Sequence, residues 1–127
     1  VYRALRPYGP LDRPEEIEGT ALESLVFQEL TAMNEYHALD YRLHYWRTSS
    51  GNEVDFVLYG HRGIKAFEVK RSDRIKPQDL KGLQAFLQDY PEATAFLLYG
   101  GKQKLTFGKI QALPVENFLR EMLVWIR

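Results

Sequence analysis

The sequence predicts an α/β domain: a mixed sheet flanked by helices and built around an antiparallel meander of three strands. Three observations carry this reading. Apolar residues recur at helical spacing in three separate segments. Three strand-like runs follow one another with only short turn signals between them, and a continuously apolar run at 95–99 comes later in the chain. The order is helix, three strands, helix, strand, a weak strand and a last helix.

Residues 19–36 carry Leu22, Leu25, Val26, Leu30 and Met33 at i, i+3, i+4 spacing, which puts them on one side of a helix. Residues 40–48 alternate as a strand does, Tyr41, Leu43, Tyr45 and Arg47 against Arg42, His44 and Trp46. The turn-forming run Ser49-Ser-Gly-Asn52 ends it. Strands at 53–59 and 64–70 follow, separated by Gly60-His-Arg-Gly63, and turns this short join strands antiparallel. Pro77 suits the first turn of a second helix, where a missing N–H leaves no bond unmade, and Pro91 stops that helix near Tyr90. Leu80, Leu83, Phe86, Leu87 and Tyr90 make its core face. Ala95-Phe-Leu-Leu-Tyr99 has no polar alternation and ends at Gly100-Gly101, which implies a strand covered on both faces. A weak strand at 104–110 precedes a helix over about 115–126. Its Val115, Phe118, Leu119, Met122, Leu123 and Ile126 need a docking surface, either the domain's own core or a partner.

At 127 residues the chain is long enough for one real core. Its 45% hydrophobic and 27% charged residues exclude a disordered chain. The lack of cysteine removes disulfides, thiolate metal sites and a cysteine nucleophile, and fits a cytoplasmic protein. No apolar run approaches the roughly 18 residues of a membrane span. Lys plus Arg number 17 and Asp plus Glu 17, so the domain lacks the basic balance of a dedicated duplex binder. The cations are nevertheless concentrated at 61–81, where Arg62, Lys65, Lys70, Arg71, Arg74, Lys76 and Lys81 face only Glu68, Asp73 and Asp79. The chain opens at Val1 with Pro7, Gly9, Pro10 and Pro14, so residues 1–18 read as a linker or extension and 19–127 as the domain. His37, His44 and His61 have no metal-ligand spacing, and there is no phosphate-binding Gly-rich loop ending in Lys-Ser/Thr and no Gly-x-Ser-x-Gly element. Gly100-Gly-Lys102 reads as a turn.

The chemistry lies in two apolar runs that carry charge. Glu68 and Lys70 sit two residues apart in Gly63-Ile-Lys-Ala-Phe-Glu-Val-Lys70 and project from the same strand face. Asp55 interrupts Glu53-Val-Asp-Phe-Val-Leu-Tyr59. Burying such groups unpaired costs several kcal/mol, roughly, so something must hold them. A divalent cation with a phosphate is one answer, and a structural ion network is another.

Asp55 followed by Glu68-Val69-Lys70, between a glutamate-bearing helix and a helix–strand pair, resembles the PD-(D/E)XK nuclease superfamily with its restriction-endonuclease-like fold. Val54 stands where the proline of that name would be. Gly19-Thr-Ala-Leu-Glu-Ser-Leu-Val26, Tyr45-Trp-Arg-Thr48, Glu53-Val-Asp-Phe56 and Glu68-Val-Lys70 resemble more closely a domain of unknown function. That domain forms the carboxyl-terminal part of many bacterial and archaeal P-loop (AAA-like) ATPases. The resemblance covers nearly the whole chain. It implies a nuclease-like domain acting on DNA, with Asp55 and Glu68 as ligands of Mg²⁺ or Mn²⁺ and Lys70 serving the attacking water. Glu23, on the first helix, would complete the catalytic set. It also implies an ATPase domain as partner. A catalytically silent module that regulates that ATPase stands beside the nuclease, and a homodimer through the last helix fits both.

The helical wheel leaves one choice open. Glu29 sits nearer the middle of the apolar face than Glu23, so periodicity admits Glu29 while the motif favours Glu23. Glu53 reads as a surface or bridge residue, and Lys81 and Gln84 as solvated helix positions. Tyr45, Trp46 and Trp125 read as core residues rather than platforms for base stacking.

Overall fold

A computed structural model describes residues 14–127, with side chains described from residue 19 onward. Of the expected extension at 1–18, residues 1–13 lie outside the described residues, and 14–18 belong to the first helix. That helix, α1 (Pro14–Tyr36), starts at a proline, which is pre-organised for a first helical position. The sheet contains β1 (Arg42–Arg47), β2 (Glu53–Gly60), β3 (Gly63–Lys70), β4 (Thr94–Tyr99), β5 (Leu105–Phe107) and β6 (Ile110–Pro114). A 3-10 turn (Pro77–Leu80) leads into α2 (Lys81–Asp89), and two short helices, α3 (Val115–Arg120) and α4 (Met122–Ile126), close the chain. The sheet order is β1-β2-β3-β4-β6-β5. β1, β2 and β3 form the expected antiparallel meander, β4 and β6 run parallel to β3, and β5 returns antiparallel on β6.

Two apolar layers sandwich this sheet. Val26 and Leu30 of α1 pack with Phe56, Leu58, Phe67, Phe96, Leu98, Leu113, Phe118 and Met122 on one side. On the other, Leu83 and Phe86 of α2 pack with Val54, Val57, Leu97, Ile110 and Ala112. The centre of the first layer is an aromatic stack, with the Phe67 ring 5.1 Å from Phe96 and 5.4 Å from Phe118. β4 is buried along nearly its whole length, as its unbroken apolar run requires.

Three expectations need correction. The weak strand at 104–110 is two strands joined at Gly108, whose φ of +60° suits a tight hairpin turn. β6 is short and buried on both faces, so it shows no alternation to read. The last helix breaks at Glu121, whose N–H is shared between the Asn117 and Phe118 carbonyls, and the break lets Phe118, Met122 and Ile126 all reach the domain's own core. β1 starts at Arg42 because Asn34 clamps Tyr41: its amide donates to the Tyr41 carbonyl and accepts from the Tyr41 N–H, both at 2.9 Å. No helix among the described residues is long and apolar enough to cross a membrane.

Candidate functional site

The site forms where two ladders go out of step. His44 pairs with Val57 and Trp46 with Val54, so β2 takes three steps where β1 takes two. The extra residue makes a β-bulge at Asp55–Phe56, opposite Tyr45. Because of it, Val54 and Val57 both belong to the α2 layer while Phe56 and Leu58 belong to the α1 layer. On the other side of β2, the register with β3 runs from Gly60 and Gly63 to Phe56 and Phe67. One step further it sets Asp55 opposite Glu68. There carboxylates take over from the backbone ladder: the Asp55 N–H donates to Glu68 Oε1 at 3.1 Å, and the Val69 N–H donates to Asp55 Oδ2 at 2.9 Å. These two bonds hold Asp55, only 3% exposed, in a position where an unpaired carboxylate would be costly.

A cleft of about 280 Å³ opens at this point, lined by Glu53, Asp55, Glu68, Val69, Lys70, Gln78 and Asp79. Three of the predicted residues, Asp55, Glu68 and Lys70, therefore share one polar cleft. Lys70 does not bridge to Glu68 or Asp55, the plain alternative for it. Its Nζ donates to Asp79 Oδ1 at 2.7 Å, while Asp79 Oδ2 accepts from the Lys76 N–H at 2.7 Å. Asp79 thus caps the 3-10 turn and fixes the lysine at once. Sequence reasoning missed it, although an aspartate two residues after Pro77 at a helix start is a capping signature.

The floor is set by close approach of α2. A Cβ on Gly82 would lie 2.1 Å from the Glu53 carbonyl oxygen and 3.5 Å from Glu68 Oε2. Gly82→Ala gains up to about 1 kcal/mol in helix propensity. It also forces backbone away from backbone, which costs roughly 1–3 kcal/mol. The clash wins, and urea unfolding is expected to show net destabilisation.

The other residues singled out in the sequence fall in different settings. Glu23 is 8% exposed on the buried side of α1, one turn before Val26, while Glu29 is exposed. The wheel's apolar face counted Leu25, which is 42% exposed, so the buried side of α1 is turned toward Glu23 rather than the alternative Glu29. Glu23 is not among the described lining residues of the cleft. Glu53 forms the expected bridge, 3.5 Å from Arg47, and also borders the cleft. Lys81 and Gln84 are exposed. Trp46 and Trp125 pack edge-on against Phe86 and Phe96, as core readings require, but Tyr45 is exposed.

Among the described residues, no group of three or more His, Cys, Asp or Glu side chains could hold a metal ion. That excludes a closed zinc cage built from these residues. Mg²⁺ asks less: it keeps several waters and binds through one or two carboxylates. Asp55 and Glu68 meet that requirement, and one N–H bond to each is compatible with ligation, since a carboxylate offers about four acceptor sites. Val69 lines the same wall of the cleft, its N–H held by Asp55.

The fold and the cleft define a mixed α/β domain with a carboxylate pair and a tethered lysine where two sheet strands part. Residues 18–118 match a domain of unknown function (DUF4143), and the chain belongs to that family. No curated protein and no solved structure matches the chain.

Proposed function

We propose that this is a metal-dependent, nuclease-like domain acting on DNA phosphodiesters, the carboxyl-terminal part of a P-loop ATPase. The observation that carries the reading is the meeting of Asp55, Glu68 and Lys70 in one polar cleft at the bulge of β2. Mg²⁺ or Mn²⁺ between the two carboxylates would polarise the scissile phosphate and ease deprotonation of a water. Asp55 and Glu68 hold their oxygens in place through the paired bonds to backbone N–H groups. Lys70 brings a positive charge toward the phosphate and orients the attacking water. As the new P–O bond forms, the bond to the leaving sugar oxygen breaks and the water's proton passes to solvent. Asp79 keeps the Lys70 ammonium at the cleft wall rather than free in solution. Glu23 enters this reading through the family resemblance.

A second reading, a silent module that regulates the ATPase or mediates its contacts, is favoured by one observation. Asp55, Glu68 and Lys70 all bond within the protein, as a structural network would. Plasmid nicking in Mg²⁺ or Mn²⁺ separates the two. Lys70→Ala is expected to lower the rate about 100-fold or more, with little change in melting temperature because the side chain is half-buried. Equal trace cleavage by the wild type and the variant would assign the domain to the silent reading.

A further inference from the structure

A second concave site lies on β2, beyond the bulge. A pocket of about 300 Å³ opens between β1, β2 and the C-terminal half of α2, walled by His44, Trp46, Tyr59, Phe86 and Tyr90. The geometry points to this pocket as the seat of one unpaired nucleobase of a DNA strand whose backbone runs on to the carboxylate cleft. The inference rests on the nuclease reading for its direction, but the pocket has its own physical content.

The walls are pre-ordered. Phe86 is only 2% exposed, and its ring meets Trp46 edge-on at 5.3 Å and Tyr90 at 4.8 Å. Tyr59 and Tyr90 stay 54% and 38% exposed, so aromatic surface remains open to a ligand. Every base has a π-face, and stacking on such rings tolerates any sequence. The volume is at the low end of small-molecule sites, which suits one planar ring system and not a duplex.

One arginine shares the strand face that borders the pocket, and among the described residues no carboxylate lines it. Arg42 stands opposite Tyr59 across the β1–β2 pair, on the strand face shared by His44 and Trp46. Arg47, on the alternate face of β1 with Leu43, lies 5.8 Å over the Tyr45 ring and bridges to Glu53, which borders the carboxylate cleft. A phosphate flanking a seated base would meet Arg42. Val57 and Tyr59 follow Asp55 on β2, and at about 3.3 Å per residue they lie roughly 7–13 Å from it. A few extended nucleotides cover that span. An aromatic side chain of a protein partner would fit the rings as well, but it has no need of an arginine beside the rings or of a carboxylate cleft further along the same strand.

Trp125→Phe leaves Trp46 as the one tryptophan of the 127-residue chain, since there are only two. Single-stranded decathymidine, titrated into this protein in low salt with chelator, is expected to quench Trp46 fluorescence. An abasic ten-mer of equal charge is expected to leave it nearly unchanged. Tyr59→Ala, at an exposed position that does not threaten the fold, is expected to weaken decathymidine binding about tenfold or more, and Tyr59→Phe to restore it. Equal quenching by the abasic strand, or equal affinity in Tyr59→Ala, overturns the proposal. No quenching by either strand also overturns it and leaves the pocket to a protein side chain. Wild-type nicking, measured in parallel, keeps the two failures apart. Quenching without nicking retains the base site and removes the nuclease reading, and nicking without quenching does the reverse.

Discussion

Asp55→Asn is expected to abolish Mn²⁺ binding and plasmid nicking together while leaving the fold standing. The substitution changes little in shape. An amide oxygen in place of Oδ2 still accepts from the Val69 N–H, now 2.9 Å from the carboxylate, so the side-chain rung between β2 and β3 survives. What disappears is the charge. A hard cation between two carboxylates loses one of its two anionic ligands, and activity that depends on it is expected to fall by about two to three orders of magnitude. Stability is expected to change by no more than about 1 kcal/mol, because the loss of a charge-assisted bond is offset by no longer burying an anion. Asp55→Ala makes the contrast: it leaves the Val69 N–H without this acceptor and costs roughly 1–3 kcal/mol. Titration calorimetry with Mn²⁺ and thermal melts of the three proteins decide the matter. Wild-type affinity in Asp55→Asn at millimolar Mn²⁺ would remove Asp55 from the metal site.

Phe67→Ala is expected to have the largest effect on stability, about 3–5 kcal/mol. The side chain is fully buried at the centre of the α1 layer and shares ring contacts with Phe96 and Phe118. Its neighbours belong to the sheet and to α3, so they cannot collapse far into the space left behind. Against a total of about 5–15 kcal/mol for a domain, that loss is large, and a melting temperature lower by roughly 10–20 °C is expected. Tyr36→Ala, at a residue 85% exposed, serves as the control and is expected to move the melt by a degree or two at most. Phe67 also pairs with Phe56 on the rung next to Asp55 and Glu68. The same variant is therefore expected to loosen the carboxylate pair, seen as faster amide exchange at Val69.

The elements with a clear period were legible in the sequence. The meander announced itself through turn chemistry at 49–52 and 60–63, and Glu68 and Lys70 were placed on one face by the two-residue period alone. Asp55 joined them because a hairpin of that length brings it opposite Glu68. The bulge was not legible, since an extra residue leaves no mark when both neighbours are apolar, as Val54 and Phe56 are. Asp79 stayed hidden for a different reason: its bond to Lys70 joins a strand end to a later turn, and no local period encodes that. Glu29 stays open on a wheel that counts Leu25 as core, whereas the buried stripe of α1 runs through Glu23, Val26 and Leu30. β6 escapes notice because four of its five residues are buried, which leaves no alternation to read.

The bulge on β2 has a consequence for how this fold can change over time. Removing one residue at 55–56 would bring β2 into step with β1 and leave Val54 and Val57 two places apart, both still in the α2 layer. On the β3 side the same deletion would put Val54 in place of Asp55 opposite Glu68. The extra residue is therefore what aims the aspartate at its partner. A lineage can mutate Asp55 and lose whatever chemistry it performs, but it cannot shift the carboxylate along the strand without rebuilding both hydrophobic layers. Position 55 is an address written into the register of the sheet, and any charge placed there inherits the same neighbours.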